Sequence, residues 1–223
     1  MTARRGSPLP ADHACPIAID GPGSSGKSSL GARLAADLGI PFLDTGLLYR
    51  AVGLAVPSAA LADPDGAADV ARHLDLAVLE DPRLGGEDAG ERASKVAAMP
   101  AVRAALMDLQ RAFGSRPGGA VLAGRDIGSA VFPDAPIKIF VTASPEVRAR
   151  RRFEQLREQG VEVIEADVLA ELRRRDERDR TRATAPLVVP GDALFLDTSE
   201  LGFEDAVAAA RSFIDEVAAR AWP

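Results

Sequence analysis

The sequence predicts an α/β fold in which a parallel sheet of five strands is flanked by helices, on three grounds. Short apolar runs alternate with longer segments of helical periodicity, as βαβ units require. A glycine-rich loop joins the first such run to the first helical segment, and no internal repeat or linker divides the 223 residues. That length buries a full core as one domain.

The elements follow in order. Met1 to Ala14 lacks apolar periodicity and contains Gly6, Pro8 and Pro10, which predicts a flexible tail over residues 1–14. Pro16-Ile17-Ala18-Ile19-Asp20 is the continuous apolar run of a buried parallel strand. Leu30, Leu34 and Leu38 mark a helix from Lys27 that Gly39 and Pro41 stop. Pro41 to Asp44 reads as a second strand and Gly46 to Val56 as a second helix. Pro57 to Gly90 is less regular: Leu74 to Glu80 reads as a strand, Asp63 to Gly66 as a turn and Asp81 to Gly86 as another. Ala93 to Phe113 is helical except at Pro100, which should break it in two. Strand patterns return at Ala120 to Ala123, Ile137 to Val141 and Leu194 to Asp197, and helices at Pro145 to Gln159, Ala166 to Asp179 and Phe203 to Ala218.

Composition excludes several classes. Cys15 is the single cysteine, so no internal disulfide forms, and His13 and His73 give no zinc pattern. No apolar run approaches about 18 residues, and Arg4-Arg5 precedes no hydrophobic stretch, so no membrane partner, membrane span or export signal is expected. A reduced, cytoplasmic protein is the expectation. The net charge is −6, yet Glu146 to Arg182 holds 11 arginines against 10 acids. A local anion site fits that pattern better than a broad nucleic-acid surface. The few aromatics are scattered, which leaves no platform for stacking single-stranded nucleic acid.

Gly21-Pro22-Gly23-Ser24-Ser25-Gly26-Lys27-Ser28 matches the phosphate-loop pattern G-x-x-x-x-G-K-S/T. Backbone N–H groups can surround a triphosphate only where side chains do not intrude, and the helix starting near Lys27 adds its positive end. Lys27 would reach the β- and γ-phosphates, and Ser28 would give a hydroxyl to Mg²⁺, partly through water. The same glycines read as a dinucleotide fingerprint, with Asp44 lying 18 residues past Gly26 in the place of a ribose-binding acid. Lys27-Ser28 directly after the last glycine, and the downstream arginines, favour the phosphate loop. A GTP switch needs an Asn-Lys-x-Asp segment, and the chain has no asparagine, so a kinase of a small acceptor is the better reading.

Further segments carry a resemblance. They are Ile19 to Pro22 leading into the loop, Leu43 to Arg50, Ala93 to Ala98, Pro100 to Arg103, Gly124 to Gly128, Val131 to Pro136 and Arg175 to Pro186. In this order, over nearly all the chain after residue 15, they resemble the bacterial cytidylate kinases of the nucleoside monophosphate kinase group. The resemblance implies a three-layer P-loop nucleoside monophosphate kinase fold in a single domain over residues 15–223. Its core would be 15–56 and 114–223, with a small NMP-binding insert over 57–113 and a short lid over about 148–182. Between His73 and Ser94, where longer members build a small antiparallel sheet, this chain is distinctly shorter.

The resemblance also implies an ATP-dependent CMP and dCMP kinase, with Mg²⁺ accompanying ATP, acting as a monomer on small molecules. ATP would lie on Gly21 to Ser29, that is Gly21, Pro22, Gly23, Ser24, Ser25, Gly26, Lys27, Ser28 and Ser29. The acceptor would meet Thr45, Tyr49, Arg50, Ser94, Arg103, Arg125, Asp126, Arg175, Asp179 and Arg182. Asp126 and Ser94 would face N4 of cytosine, and Arg103 its N3 and O2. Lys27, Arg125, Arg151 and Arg182 would be catalytic, with Arg151 the lid arginine at the transferred group. Independently of the resemblance, positions 175, 179 and 182 share one helical face. The segment Arg173 to Arg182 carries six arginines against three acids, an excess that a solvated, salt-bridged helix leaves unexplained. Other readings stay open: a shikimate- or UMP-type kinase, or a nucleotide- or RNA-binding module without turnover.

Overall fold

The computed structural model describes residues 8–58 and 63–222. Its sheet has five strands: β1 (Pro16–Asp20), β2 (Phe42–Asp44), β3 (Ala120–Gly124), β4 (Ile137–Thr142) and β5 (Leu194–Asp197). They run in the order β2-β3-β1-β4-β5 with every pairing parallel. The helices between them are α1 (Lys27–Leu38), α2 (Thr45–Ala55), α3 (Pro64–Arg72), α4 (Glu87–Val96), α5 (Pro100–Gly114), α6 (Pro145–Glu158), α7 (Glu165–Thr181) and α8 (Phe203–Ala221).

Strand residues alternate between two cores, and this makes the three layers. Ile17, Ile19, Val121 and Ala123 face α1 and α8 through Leu30, Leu34, Ala210 and Ile214. Ala18, Ala120 and Leu122 face the other side, against Leu48 and Val52 of α2 and Val102 and Leu106 of α5. The carboxyl ends of β1 and β3 are neighbours, with Asp20 opposite Gly124, although much of the chain separates them in sequence. Ligands of open α/β sheets bind at such an edge.

Three expectations are corrected. The stretch read as a strand at Leu74 to Glu80 is instead a 3₁₀ helix at Leu76–Glu80, because the Asp75 side chain accepts the Ala77 N–H and curls the backbone at its start. Asp63 to Gly66 is not an isolated turn but the start of α3: Asp63 caps the Asp65 N–H, and Pro64 sits in the first turn, where a missing N–H costs nothing. The described residues of 57–113 thus form α- and 3₁₀-helices joined by short turns, with no strand among them, and α4 and α5 part just before Pro100. The flexible-tail expectation over 1–7 lies outside the described residues. Over 8–14 the chain is held: Leu9 is buried in the first core, and Ala14 bridges Pro117.

Beyond the main body, α6 and α7 form a hairpin with a small core of its own, Ala149 and Leu156 against Val168 and Leu172. No described helix is long and apolar enough to cross a membrane.

Candidate active site

The loop between β1 and α1 wraps the edge of the sheet. A Cβ on Gly21 would sit 2.0 Å from the Val141 carbonyl oxygen, so only glycine lets the chain turn this close to β4. Gly26 has φ 90° and forms the N-cap of α1, which leaves the first helical N–H groups without a side-chain cap. Lys27 is buried rather than exposed, and its Nζ donates to the Pro22 carbonyl at 3.1 Å. Burial, and after it the Arg125 guanidinium, hold its ammonium well below the usual lysine range.

A cleft of about 410 Å³ opens over this loop. Gly23, Ser24, Gly26, Lys27, Ser28 and Ser29 form its floor. Of the other loop positions expected to bind ATP, Gly21, Pro22 and Ser25 do not line the cleft. All three are buried within the loop. The far walls carry Arg50 from α2, Arg125 after β3, Arg151 and Arg152 from α6 and Arg175 from α7.

These guanidiniums hold one another at a cost. Burial first and Arg175 second bring Arg50 down to about 10, and burial and Arg125 lower Arg175. Such crowding of like charge in a part-desolvated wall suits a polyanion. Until one arrives, backbone carbonyls occupy the donors. Arg50 Nη1 donates to Leu84 O at 2.6 Å and Gly86 O at 3.0 Å, and Arg152 Nη2 to Gly85 O at 2.9 Å. Arg151 donates to Thr198 Oγ1 at 3.0 Å and Thr198 O at 2.7 Å.

A second, smaller pocket of about 60 Å³ adjoins the cleft and shares Gly46, Arg50 and Arg125 with it. Thr45, Tyr49, Ser94, Arg103, Asp126, Asp179 and Arg182 supply its polar lining, with Ala93, Ala97 and Gly124 between them. Nine of the ten residues expected to hold the acceptor meet here; Arg175 faces the phosphate cleft instead. Each is placed by its element. Thr45 Oγ1 donates to Ala123 O at 2.9 Å, tying α2 to β3, and Arg103 of α5 lies 5.8 Å over the Tyr49 ring. Arg182 lies one residue past the end of α7, so the shared helical face stops at Thr181, yet its side chain still reaches the pocket.

Ion pairs organise the walls. Asp126 is clasped between Arg103 on one carboxylate oxygen and Arg182, at 3.3 Å, on the other. Asp179 accepts from Arg125 Nε at 2.9 Å. Burial pushes the Asp179 carboxyl up, but Arg125, Arg182 and Arg175 outweigh it and leave it below the usual range. Two buried polar atoms on this wall, Ser94 Oγ and Arg103 Nη1, have no hydrogen-bond partner. Such atoms are costly in a folded protein, and both of these line the same pocket.

Sequence reasoning passed over four residues of this region. Asp44 caps α2 by accepting the Gly46 N–H and lines the cleft; it falls in the resembling segment Leu43 to Arg50, but the role its spacing suggested belonged to the dinucleotide reading. Arg152 lines the cleft beside Arg151. Arg148 is buried against Asp176 and also donates to Gly23 O, anchoring the α6–α7 hairpin to the loop between β1 and α1. Asp20 ends β1 and bonds the segment after β3; its signal is a lone acid closing an otherwise apolar strand.

A parallel sheet with this loop at its carboxyl edge, beside two joined cavities walled by arginines, defines a phosphate-loop kinase of the nucleoside monophosphate type. A family model described as cytidylate kinase matches residues 17–216. The chain belongs to the cytidylate kinase family. A cytidylate kinase of Azorhizobium caulinodans is 55% identical over 200 residues, covering 89% of this chain and 97% of that protein. One from Caulobacter vibrioides is 51% identical over 206 residues, covering 92% and 97%. Among solved structures, an uncharacterized protein from Eubacterium ventriosum shares the fold, with TM-score 0.52 and 16% identity over 90% of this chain and 98% of that one.

Proposed function

We propose that this protein transfers the γ-phosphoryl group of ATP to CMP, and also to dCMP, in the cytoplasm. One observation carries the reading: two buried, unpartnered groups, Ser94 Oγ and Arg103 Nη1, share with Asp126 a pocket that opens into the phosphate-loop cleft. Cytosine offers an N4 donor with acceptors at N3 and O2. The Asp126 carboxylate spends one lone pair on each arginine and keeps two, enough to accept from N4 beside Ser94. Arg103 Nη1 is the donor available to N3 and O2. Uracil would set its O4 lone pairs against that carboxylate.

In the reaction an acceptor phosphate oxygen forms a bond to the γ-phosphorus while the bond from that phosphorus to the β–γ bridging oxygen breaks, and ADP leaves. The acceptor oxygen is already anionic near neutral pH, since the second phosphate pKa is about 6, so no general base is needed. The chain contributes positive charge and orientation. Arg50 and Arg125, common to both cavities, stand where the two phosphates would meet, with Lys27, Arg151 and Arg175 on the donor side. Arg182, held on Asp126, braces the acceptor side. The Ser28 hydroxyl and the Asp44 carboxylate, both lining the cleft, are hard oxygens that would hold Mg²⁺. When bound, it neutralises charge on the β- and γ-phosphate oxygens.

A monomer acting on small molecules suits these cavities, and neither a nucleic-acid groove nor a membrane partner enters the reading. Coupled ADP release over a panel of CMP, dCMP, UMP and shikimate tests it. CMP and dCMP should turn over far better than the others; equal rates for UMP, or no turnover at all, would refute it.

A further inference from the structure

Asp20 is 2% exposed at the carboxyl end of β1, and the reaction just described does not use it. Its two carboxylate oxygens take separate partners: Oδ1 accepts the Ile127 N–H at 2.8 Å, and Oδ2 the Gly128 N–H at 2.7 Å. Those N–H groups open the single-turn π-helix Ile127–Val131, whose N-cap residue, Asp126, makes no side-chain capping bond of its own. The cap therefore comes from the neighbouring strand. The positions just before this clamp are Arg125 and Asp126, which reach into the two cavities. A Cβ on Gly128 would lie 3.2 Å from the Lys138 side chain and 3.4 Å from Asp20 Oδ2, so the clamped turn packs closely against both.

We propose that Asp20 is a positioning residue for base selection, holding the backbone that aims Asp126 at the acceptor base. This rests on the proposed CMP kinase reading. The clamp needs the ionised form. A carboxylate accepts one N–H on each oxygen, whereas a proton on either oxygen turns it against one buried N–H. The carboxyl is pushed up to about 6: burial raises it, the Gly128 and Ile127 N–H groups lower it, Asp126 raises it and Lys27 of α1 lowers it. From β4, Lys138 packs its methylenes on Gly128. The clamp should thus be set above about pH 6 and loosen below it.

The CMP/UMP ratio of kcat/KM isolates this effect, because both acceptors carry the same phosphate and share the charge on Lys27. The experiment measures that ratio from about pH 5.5 to about pH 8 in the parent and in Asp20→Asn, with thermal melts to verify folding. In the parent the ratio should rise with pH through about 6. In Asp20→Asn, whose amide keeps only one acceptor, the ratio at neutral pH should fall by about fivefold or more, the low end of one base contact, and lose its pH dependence. A parent ratio flat in pH overturns the inference, and so does an Asp20→Asn ratio that tracks the parent. If the variant does not fold, the parent's pH dependence decides alone. CMP turnover with a flat ratio removes only this inference, whereas absence of CMP turnover removes the proposed function and the inference with it.

Discussion

Lys27 shows how a single side chain is prepared before its ligand arrives. It is buried at the start of α1, lies near Arg125 and makes one bond, to the Pro22 carbonyl. A cation kept in such surroundings gains most when phosphate oxygens approach. Lys27→Ala should lower kcat by roughly 10²–10³-fold, the scale of one preorganised donor. Because the removed charge is desolvated, the melting temperature should hold or rise; kinetics and a thermal melt on the same sample check both. Asp126 behaves differently, since it partners two arginines as well as the base. Asp126→Asn should narrow the CMP over UMP preference, because an amide can rotate to donate to O4. It should also destabilise the fold by about 3–5 kcal/mol, the cost of breaking a buried ion pair from one side. Steady-state kinetics on both nucleotides and urea unfolding separate the two effects; an unchanged preference would remove Asp126 from base reading.

The α6–α7 hairpin is an element with a separate interior. Its four buried residues pack on one another, and its ties to the body include the Arg148 bonds to Ala143 O and Gly23 O and the Arg152 bond to Gly85 O. Elements with few buried contacts open at lower free energy than the whole molecule. Leu172→Ala deletes one of the larger members of that core, and such truncations cost about 2–5 kcal/mol where packing cannot relax. Here the loss should be local. Hydrogen exchange should quicken across 145–181 while α1 and the central strands keep their protection, and KM for ATP should rise. Uniformly faster exchange in every element would show the hairpin to be one cooperative unit with the sheet.

At the level of the whole molecule, the net charge is −6, while the cleft gathers Lys27, Arg50, Arg125, Arg151, Arg152 and Arg175. Their mutual repulsion lowers the folded protein's stability until anions bind. ATP should therefore raise the melting temperature in the absence of any acceptor, by an amount equivalent to about 2.7 kcal/mol at a hundredfold excess over Kd. Differential scanning fluorimetry over an ATP series reads this directly. A melting temperature indifferent to ATP would contradict the cleft as a triphosphate site.

Sequence alone determined the features that local physics dictates. The five strands and α1, α2, α5, α6, α7 and α8 were legible because apolar period distinguishes a buried strand from an amphipathic helix, and α1 begins at Lys27 and ends at Leu38, where the periodicity and Gly39 put it. The phosphate loop was legible because a glycine spacing is a backbone requirement written in one short segment. Leu74 to Glu80 has a strand's composition, and there the deciding bonds are local too: Asp75 and Asp81 accept N–H groups two residues onward and turn the segment and its neighbour into 3₁₀ helices. Tertiary structure decided what depends on distant partners. The residues expected at the acceptor belong to segments far apart in the chain, and only the strand order β2-β3-β1-β4-β5 brings their pocket to one sheet edge. Asp20 is the clearest case: in sequence it is the acid that ends a strand, and its partners lie 107 and 108 residues away. A hydrogen bond across such a separation leaves no periodicity, because its two ends share a position only after the sheet has formed.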